Sequence, residues 1–186
     1  MKTLTISLAL ALVLCAAPFA QDMQGMQHHG MEMKAAPVTK AIAVLMPAAN
    51  NPVRGTVLFE KVDGGIKITA NITGLTPGKH GFHVHEFGDC SAPDFTSAGP
   101  HFMAPGESHG APTDSASHQG DMGNLIADAS GVAHLEWVDP HMSFDGPRSI
   151  LGRAVILHEK EDDLTTQPTG NSGGRIACGV IGLAKP

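Results

Sequence analysis

The sequence predicts an all-β chain, an eight-stranded Greek-key barrel or sandwich with two long functional loops. Three observations carry this. Short runs rich in β-branched residues recur, turn residues separate them at close intervals, and no apolar repeat of helical period is long enough to build a helix. Composition agrees: 22 Gly and 13 Pro in 186 residues favour turns, and 42% hydrophobic content suffices for one core.

Residues 41–45 form the first run. Residues 54–61 and 66–72 follow, joined by the hairpin turn Asp63-Gly64-Gly65. Thr76-Pro77-Gly78 leads into residues 80–86, and Asp128-Ala129-Ser130-Gly131 turns residues 124–127 into 132–138. Residues 153–159 and 177–183 complete the eight strands. Residues 87–122 and 160–175 are too long for ordinary connections, and loops of that length in a compact domain are functional or disordered.

Ahead of the strands, residues 1–20 read as a secretory signal, with Lys2, an apolar run over 6–15 and small residues over 16–20; cleavage is expected after Ala20. The stretch is too short to span a membrane as a helix. Cys15 raises lipid attachment, but Leu14 stands where a small residue is wanted. Residues 21–38 contain Met23, Met26, His28, His29, Met31 and Met33 and lack the residues of a packed segment, so they read as a disordered tail before a domain over 39–186. Thioether and imidazole suit copper, which makes the tail either a copper-capturing donor or a solubilising linker.

The formal charge of −6, about −7 once Lys2 is removed, offers no basic surface for nucleic acid and no polybasic membrane patch. Export implies a periplasmic or secreted protein. Losing Cys15 leaves Cys90 and Cys178, which in an oxidising compartment form one disulfide or stay as two thiols. A bridge over that separation would contribute about 4–5 kcal/mol by restricting the unfolded chain.

The chemistry lies in the histidines. Side chains alternate along a strand, so His83 and His85 project from one face and can converge on one ion. The long loop adds His101, His109, His118 and Asp121, three imidazoles and a carboxylate of the kind zinc takes. His158 ends the apolar run 155–157 and is placed by a strand. Zinc alone leaves His83, His85 and His158 unused, whereas an all-imidazole set suits Cu(II). If one loop imidazole bridges two ions, copper has four nitrogens and zinc three nitrogens and an oxygen; the residues permit this partition and leave it open.

Gly81-Phe82-His83-Val84-His85-Glu86-Phe87-Gly88-Asp89, Gly99-Pro100-His101-Phe102, His109-Gly110, His118-Gln119-Gly120-Asp121-Met122-Gly123-Asn124, Leu157-His158-Glu159 and Gly174-Arg175-Ile176-Ala177-Cys178-Gly179-Val180-Ile181-Gly182 follow in the order and spacing of a known pattern. Over most of residues 40–184 the chain resembles the copper/zinc superoxide dismutase family. The resemblance implies dismutation of superoxide to oxygen and hydrogen peroxide by a redox-cycling copper beside a structural zinc, protecting the cell envelope from oxidative damage. It implies His83, His85, His101 and His158 on copper, and His101, His109, His118 and Asp121 on zinc, with His101 bridging and catalytic. It makes Arg175 the arginine that draws the anion to copper, pairs Cys90 with Cys178, and makes Asp162 the carboxylate linking a copper histidine to a zinc histidine.

Blander roles stand beside these. Arg175 could be a surface cation, and Asp162 lies in a charged run, residues 159–163, that reads as a solvated face. His80 resembles a structural residue of the family, and His134 and His141 read as surface or core. Asn71-Ile72-Thr73 matches a glycosylation sequon. Met103-Ala104 departs from the Asn-Pro frequent in relatives, Cys90 directly after Asp89 resembles the bacterial exported type, and the stretch 163–175 is short beside animal members, whose loop charges therefore do not carry over. A homodimer is compatible with the family. The rival functions are a copper-storage or copper-delivery module and a zinc-stabilised structural domain.

Overall fold

The computed structural model describes residues 36–185; the expected signal and nearly all of the Met/His tail lie outside the described residues. Nine strands follow in order: β1 (Lys40–Pro47), β2 (Arg54–Val62), β3 (Gly65–Thr73), β4 (Gly78–His85), β5 (Asp121–Ala127), β6 (Ala133–Asp139), β7 (Ala154–His158), β8 (Arg175–Val180) and β9 (Gly182–Leu183). The helical content of the described residues is two three-residue 3-10 turns, Thr96–Ala98 and Gly146–Arg148.

All pairings between the strands are antiparallel, in the order β2-β3-β6-β5-β4-β7-β8-β1, with β1 also pairing with β2, so the eight main strands close into a barrel. Closure gives each of the eight a paired neighbour on both sides. Because β3 pairs with β6 rather than β4, the chain crosses the barrel end twice, over residues 74–77 and 140–153, which gives the Greek key. The barrel is flattened. β5 meets β6 at the single pair Ala127↔Ala133, and β1 meets β8 only at Met46↔Cys178 and Pro47↔Ala177.

The expected strands are all present, with differences that have physical causes. The run 177–183 is broken at Ile181, whose side chain turns into the core while its N–H bonds Arg153 O at 2.9 Å. β4 stops at His85, since Glu86 N turns to Pro100 O, and β5 begins earlier than expected, at Asp121. The connection 140–153 is a third long segment that residue patterns did not single out. Its amide groups are tied up locally, Ser143 with Arg148 and Ile150 with Ser143.

One strand alternation positions everything that follows. In β4 and β7, Phe82, Val84, Val155 and Leu157 point into the barrel and join Phe59, Ile68 and Ile72 in the main core. The alternate residues Ala154, Ile156 and His158, with His83 opposite Ile156 and His85 opposite Ala154, point outward. Ala154, Ile156 and Cys178 are covered by a second apolar cluster with Phe95 and Ala98 from the long loop. Both faces of β4 are therefore buried, one in hydrocarbon and one under loops. Val38 also packs against the main core.

Candidate metal centre

His83, His85 and His158 hang from the outer face of the β4–β7 sheet, and the loop 86–120 is laid over them. An antiparallel bridge His85↔His101 fixes it, through Glu86 N to Pro100 O at 2.9 Å and Phe102 N to Val84 O at 2.9 Å. The Arg153 guanidinium holds the same stretch, stacked 3.4 Å over the Phe102 ring and donating to Glu86 O at 2.8 Å. Cys90 is bonded to Cys178, with Cα atoms 5.8 Å apart, which pins the start of this loop to β8.

Two groups of donors result. His83, His85, His101 and His158 bring one ring nitrogen each within 4.8 Å of one another, and so do His83, His101 and His109 with an Asp121 oxygen. The nitrogens not facing these groups are spent on fixed acceptors. His85 Nδ1–H donates to Gly99 O at 2.9 Å, His158 Nδ1–H to Gly173 O at 3.3 Å, and His83 Nε2–H to Asp162 Oδ2 at 2.7 Å. Such partners fix tautomer and ring orientation.

What remains without a partner tests whether cations fit. Among the described residues seven buried side-chain polar atoms lack a hydrogen bond, and five are His83 Nδ1, His85 Nε2, His101 Nε2, His118 Nδ1 and His158 Nε2. Buried polar atoms are ordinarily satisfied, so five stranded imidazole nitrogens at one place fit electron-pair acceptors. Their protonation agrees. Burial holds His83 below the ordinary imidazole range and His85 well below it, and lowers His101 to about 4 and His158 to about 3. These rings are neutral at pH 7 and carry the lone pair a metal needs.

The second group is built around two carboxylates. Asp121 Oδ1 faces His101 Nδ1 at 2.9 Å, His109 Nδ1 at 3.1 Å and His118 Nδ1 at 3.4 Å, while Oδ2 accepts from Gly110 N at 3.0 Å and His118 N at 3.2 Å. Burial pushes the Asp121 carboxyl up, but the bonds from His101 and His109 and the nearby His118 ring outweigh it and hold it far below the usual range. Asp162 is likewise held low: burial opposes, and bonds from His109 and His83 prevail. Burial pushes His109 down, yet bonds to Asp121 and Asp162 raise it to about 9. In the metal-free protein a proton thus occupies His109 where a cation can take its place.

His83 and His101 belong to both groups, stacked with ring centroids 3.9 Å apart, whereas His118 stands 5.6 Å from His101 and 5.8 Å from His109 and misses the tightest second group. The rings of His83 and His101 differ in where their nitrogens point. His83 has one nitrogen committed to Asp162, leaving one to give; His101 turns Nδ1 to Asp121 and leaves Nε2 free toward the first group. His118 contributes its unpartnered Nδ1 beside Asp121.

Arg175 lies beside the first group. Its Nη1 donates to Phe95 O at 2.6 Å and its Nη2 to Gly99 O at 2.8 Å, the carbonyl that also holds His85. The half-buried guanidinium keeps unused N–H groups, since two bonds take two of five donors. Asp162 is no solvated residue: it is 1% exposed, and its backbone is held by Asn124, which donates Nδ2–H to Asp162 O and accepts Asp162 N–H, each at 2.8 Å.

Several residues here escaped residue patterns. Asn124 was seen only inside a motif, Arg153 and Gln167 were not singled out, and Gly99 acts through its carbonyl. Two single-chain signals existed: an Asn at the start of a predicted strand, and an Arg bordering an apolar run. His80 lies apart from both groups, with Nδ1 on His158 O and Nε2 on Thr76 O, both at 2.9 Å. His134 is exposed and bonds Asn71 Oδ1, and His141 lies beside Arg148.

The sequence profile described as copper/zinc superoxide dismutase (SODC) matches residues 53–181. The chain is 47% identical over 153 residues to superoxide dismutase [Cu-Zn] A of Xenopus laevis, covering 78% of this chain and 99% of that one. It is 43% identical over 153 residues to an extracellular superoxide dismutase [Cu-Zn] of Brugia pahangi, covering 77% and 76%. A crystal structure described as the clock protein EA4 superposes with a TM-score of 0.76 at 43% identity, covering 83% of this chain and all of that one. With the barrel and the paired donor groups in place, this match over more than half the chain establishes that the protein belongs to the copper/zinc superoxide dismutase family.

Proposed function

We propose that the protein carries out the family's dismutation of superoxide to oxygen and hydrogen peroxide with His83, His85, His101 and His158 holding copper and His101, His109, His118 and Asp121 holding zinc. The observation that carries this is the set of unpartnered, buried nitrogens of His83, His85, His101 and His158 at two adjoining donor groups, with the free Nδ1 of His118 beside Asp121. Bound copper supplies one-electron redox chemistry, and zinc supplies fixed positive charge.

The chain's own residues supply the rest. Arg175 draws the anionic substrate toward the first group, a local positive field in a chain whose net charge of −6 opposes it. Its bonds to Phe95 O and Gly99 O keep the guanidinium from collapsing onto the surface. His101 can carry a proton at Nε2, the atom facing the first group, while Nδ1 stays directed at Asp121. Asp162 holds His83 at 2.7 Å and His109 at 2.8 Å through the two oxygens of one carboxylate.

The finer features of the proposal are these. Residues 1–20 direct export and are cleaved, and the protein works in an oxidising compartment, the periplasm of a bacterium or the outside of the cell, shielding the envelope; the disulfide, the extracellular relative and the bacterial-type spacing around Cys90 support it. No helix among the described residues is long and apolar enough to cross a membrane. Residues 21–38 donate copper; removing 21–36 and measuring copper loading at limiting copper tests this. The chain forms a homodimer, a state compatible with the family, and sedimentation of the metal-loaded protein tests it.

The deciding experiment measures metal content and superoxide consumption after reconstitution, with His85→Ala as control. Two ions per chain and activity lost in His85→Ala is the expected result. One ion per chain, or copper bound without turnover, favours a storage module.

A further inference from the structure

The loop 159–174 makes one contact that the ligand set does not require. The side-chain amide of Gln167 is laid against the backbone of His109, 58 residues away: His109 N–H donates to Gln167 Oε1 at 2.9 Å, and Gln167 Nε2–H donates to His109 O at 2.8 Å. The pair of bonds fixes the orientation of the amide, since a backbone N–H needs an acceptor and a carbonyl needs a donor. It reproduces one rung of an antiparallel ladder on a stretch that lies in no strand.

His109 needs such an anchor more than the strand-held ligands do. His83, His85 and His158 are fixed by β4 and β7, Asp121 by β5, and His101 by its bridge to His85. His109 sits in the irregular part of the long loop, with its ring Nε2–H on Asp162 Oδ1 at 2.8 Å and its Nδ1 toward Asp121. The segment carrying Gln167 is itself braced. Asp163 accepts from Thr165 N, Thr166 N and Thr166 Oγ1, Gly170 N bonds Thr166 O, and Asp163 N bonds Gly170 O.

We infer that Gln167 is a positioning residue for the zinc side of the centre: by clamping both backbone groups of His109 it sets how long zinc is retained. This rests on the assignment of His109 as a zinc ligand. The clamp acts on one ligand of one ion, so its loss affects zinc and spares copper.

The test uses the full chain loaded with copper and zinc, and separately with Co(II) in place of zinc. Gln167→Ala, Gln167→Glu and the neighbouring control Thr165→Ala are compared by zinc release to an excess of a chromophoric chelator, by copper release to a Cu(I) chelator under reductant, and by the Co(II) visible spectrum. Gln167→Ala is expected to release zinc about tenfold faster, the low end for residues that support a metal ligand. Copper release changes less than twofold, and the Co(II) bands shift in position or intensity. Gln167→Glu keeps the acceptor for His109 N–H and loses the donor, so its zinc release falls between wild type and Gln167→Ala. Zinc release unchanged in Gln167→Ala, or zinc and copper released faster by the same factor in Gln167→Ala and Thr165→Ala, overturns the inference. His109→Ala separates the two levels: if it keeps the wild-type Co(II) spectrum, the ligand assignment has failed, and the clamp falls with it for that reason.

Discussion

Replacing Asp162 by alanine removes the carboxylate that ties His83 to His109. Its Oδ2 accepts from His83 Nε2 at 2.7 Å, and its Oδ1 from His109 Nε2 at 2.8 Å and Leu164 N at 2.7 Å, with all three side chains of the trio fully buried. Stranding two buried ring donors costs roughly 2–6 kcal/mol before relaxation. Loss of such an outer carboxylate lowers metal affinity by about 10–100-fold, roughly 1.4–2.7 kcal/mol, so much of the gross cost is recovered by movement of the rings. The recovery is unequal. His83 is held by β4 packed on both faces, while His109 loses a principal anchor of its ring, so zinc affinity falls by the larger factor. Asp162→Asn keeps one acceptor and sets an N–H against the second ring, giving a smaller loss. Competition titration of zinc and copper against chelators of graded strength measures both. Zinc affinity within twofold of wild type in Asp162→Ala would refute the account.

Acid should destabilise the metal-free protein in a defined window. His101 is lowered by burial to about 4, so the unfolded chain binds the extra proton first, and stability falls as pH drops from about 6.5 toward 4, by on the order of 3 kcal/mol from this ring; thermal midpoints across that range check it. His109 behaves oppositely. Raised to about 9, it contributes most below about pH 6.5 and its contribution fades as pH rises through 9, which a His109→Gln variant should abolish on the alkaline limb of the same curve. Arg175→Glu should lower kcat/KM at least tenfold and invert part of its salt dependence, with Arg175→Lys intermediate; equal rates with the same salt response would remove Arg175 from substrate capture. Cys90→Ser should cost about 2–5 kcal/mol in denaturant unfolding under oxidising conditions, and a loss below 0.5 kcal/mol would show that the bridge over 88 residues constrains little.

The barrel was legible because its signals are local. β-branched runs, Asp63-Gly64 and the Asp128 turn each read from a few neighbouring residues, and the period of two placed His83 and His85 on one face. The eight strands followed from these. The break at Ile181 did not, since it marks where the segment passes from Arg153, which accepts the Ile181 N–H, to pairing with Ile42 of β1, a partner far away in sequence. Likewise the ligand types could be listed from the chain. Which nitrogen of each ring is free could not, because it is set by carbonyls and carboxylates far away in sequence, Gly99 for His85 and Asp162 for both His83 and His109. The carboxamide contacts of Asn124 and Gln167 leave no local pattern at all: each is a side chain meeting a remote backbone.

Phe82, Val84, Val155 and Leu157 fill the barrel from the same two strands that carry His83, His85 and His158 on their other side. Hydrocarbon therefore shapes the scaffold, and the ions dock against its exterior beneath a roof of loops. Interior packing and the donor set thus occupy opposite faces of the same two strands, and the core's hydrocarbon contacts are made without any of the imidazoles.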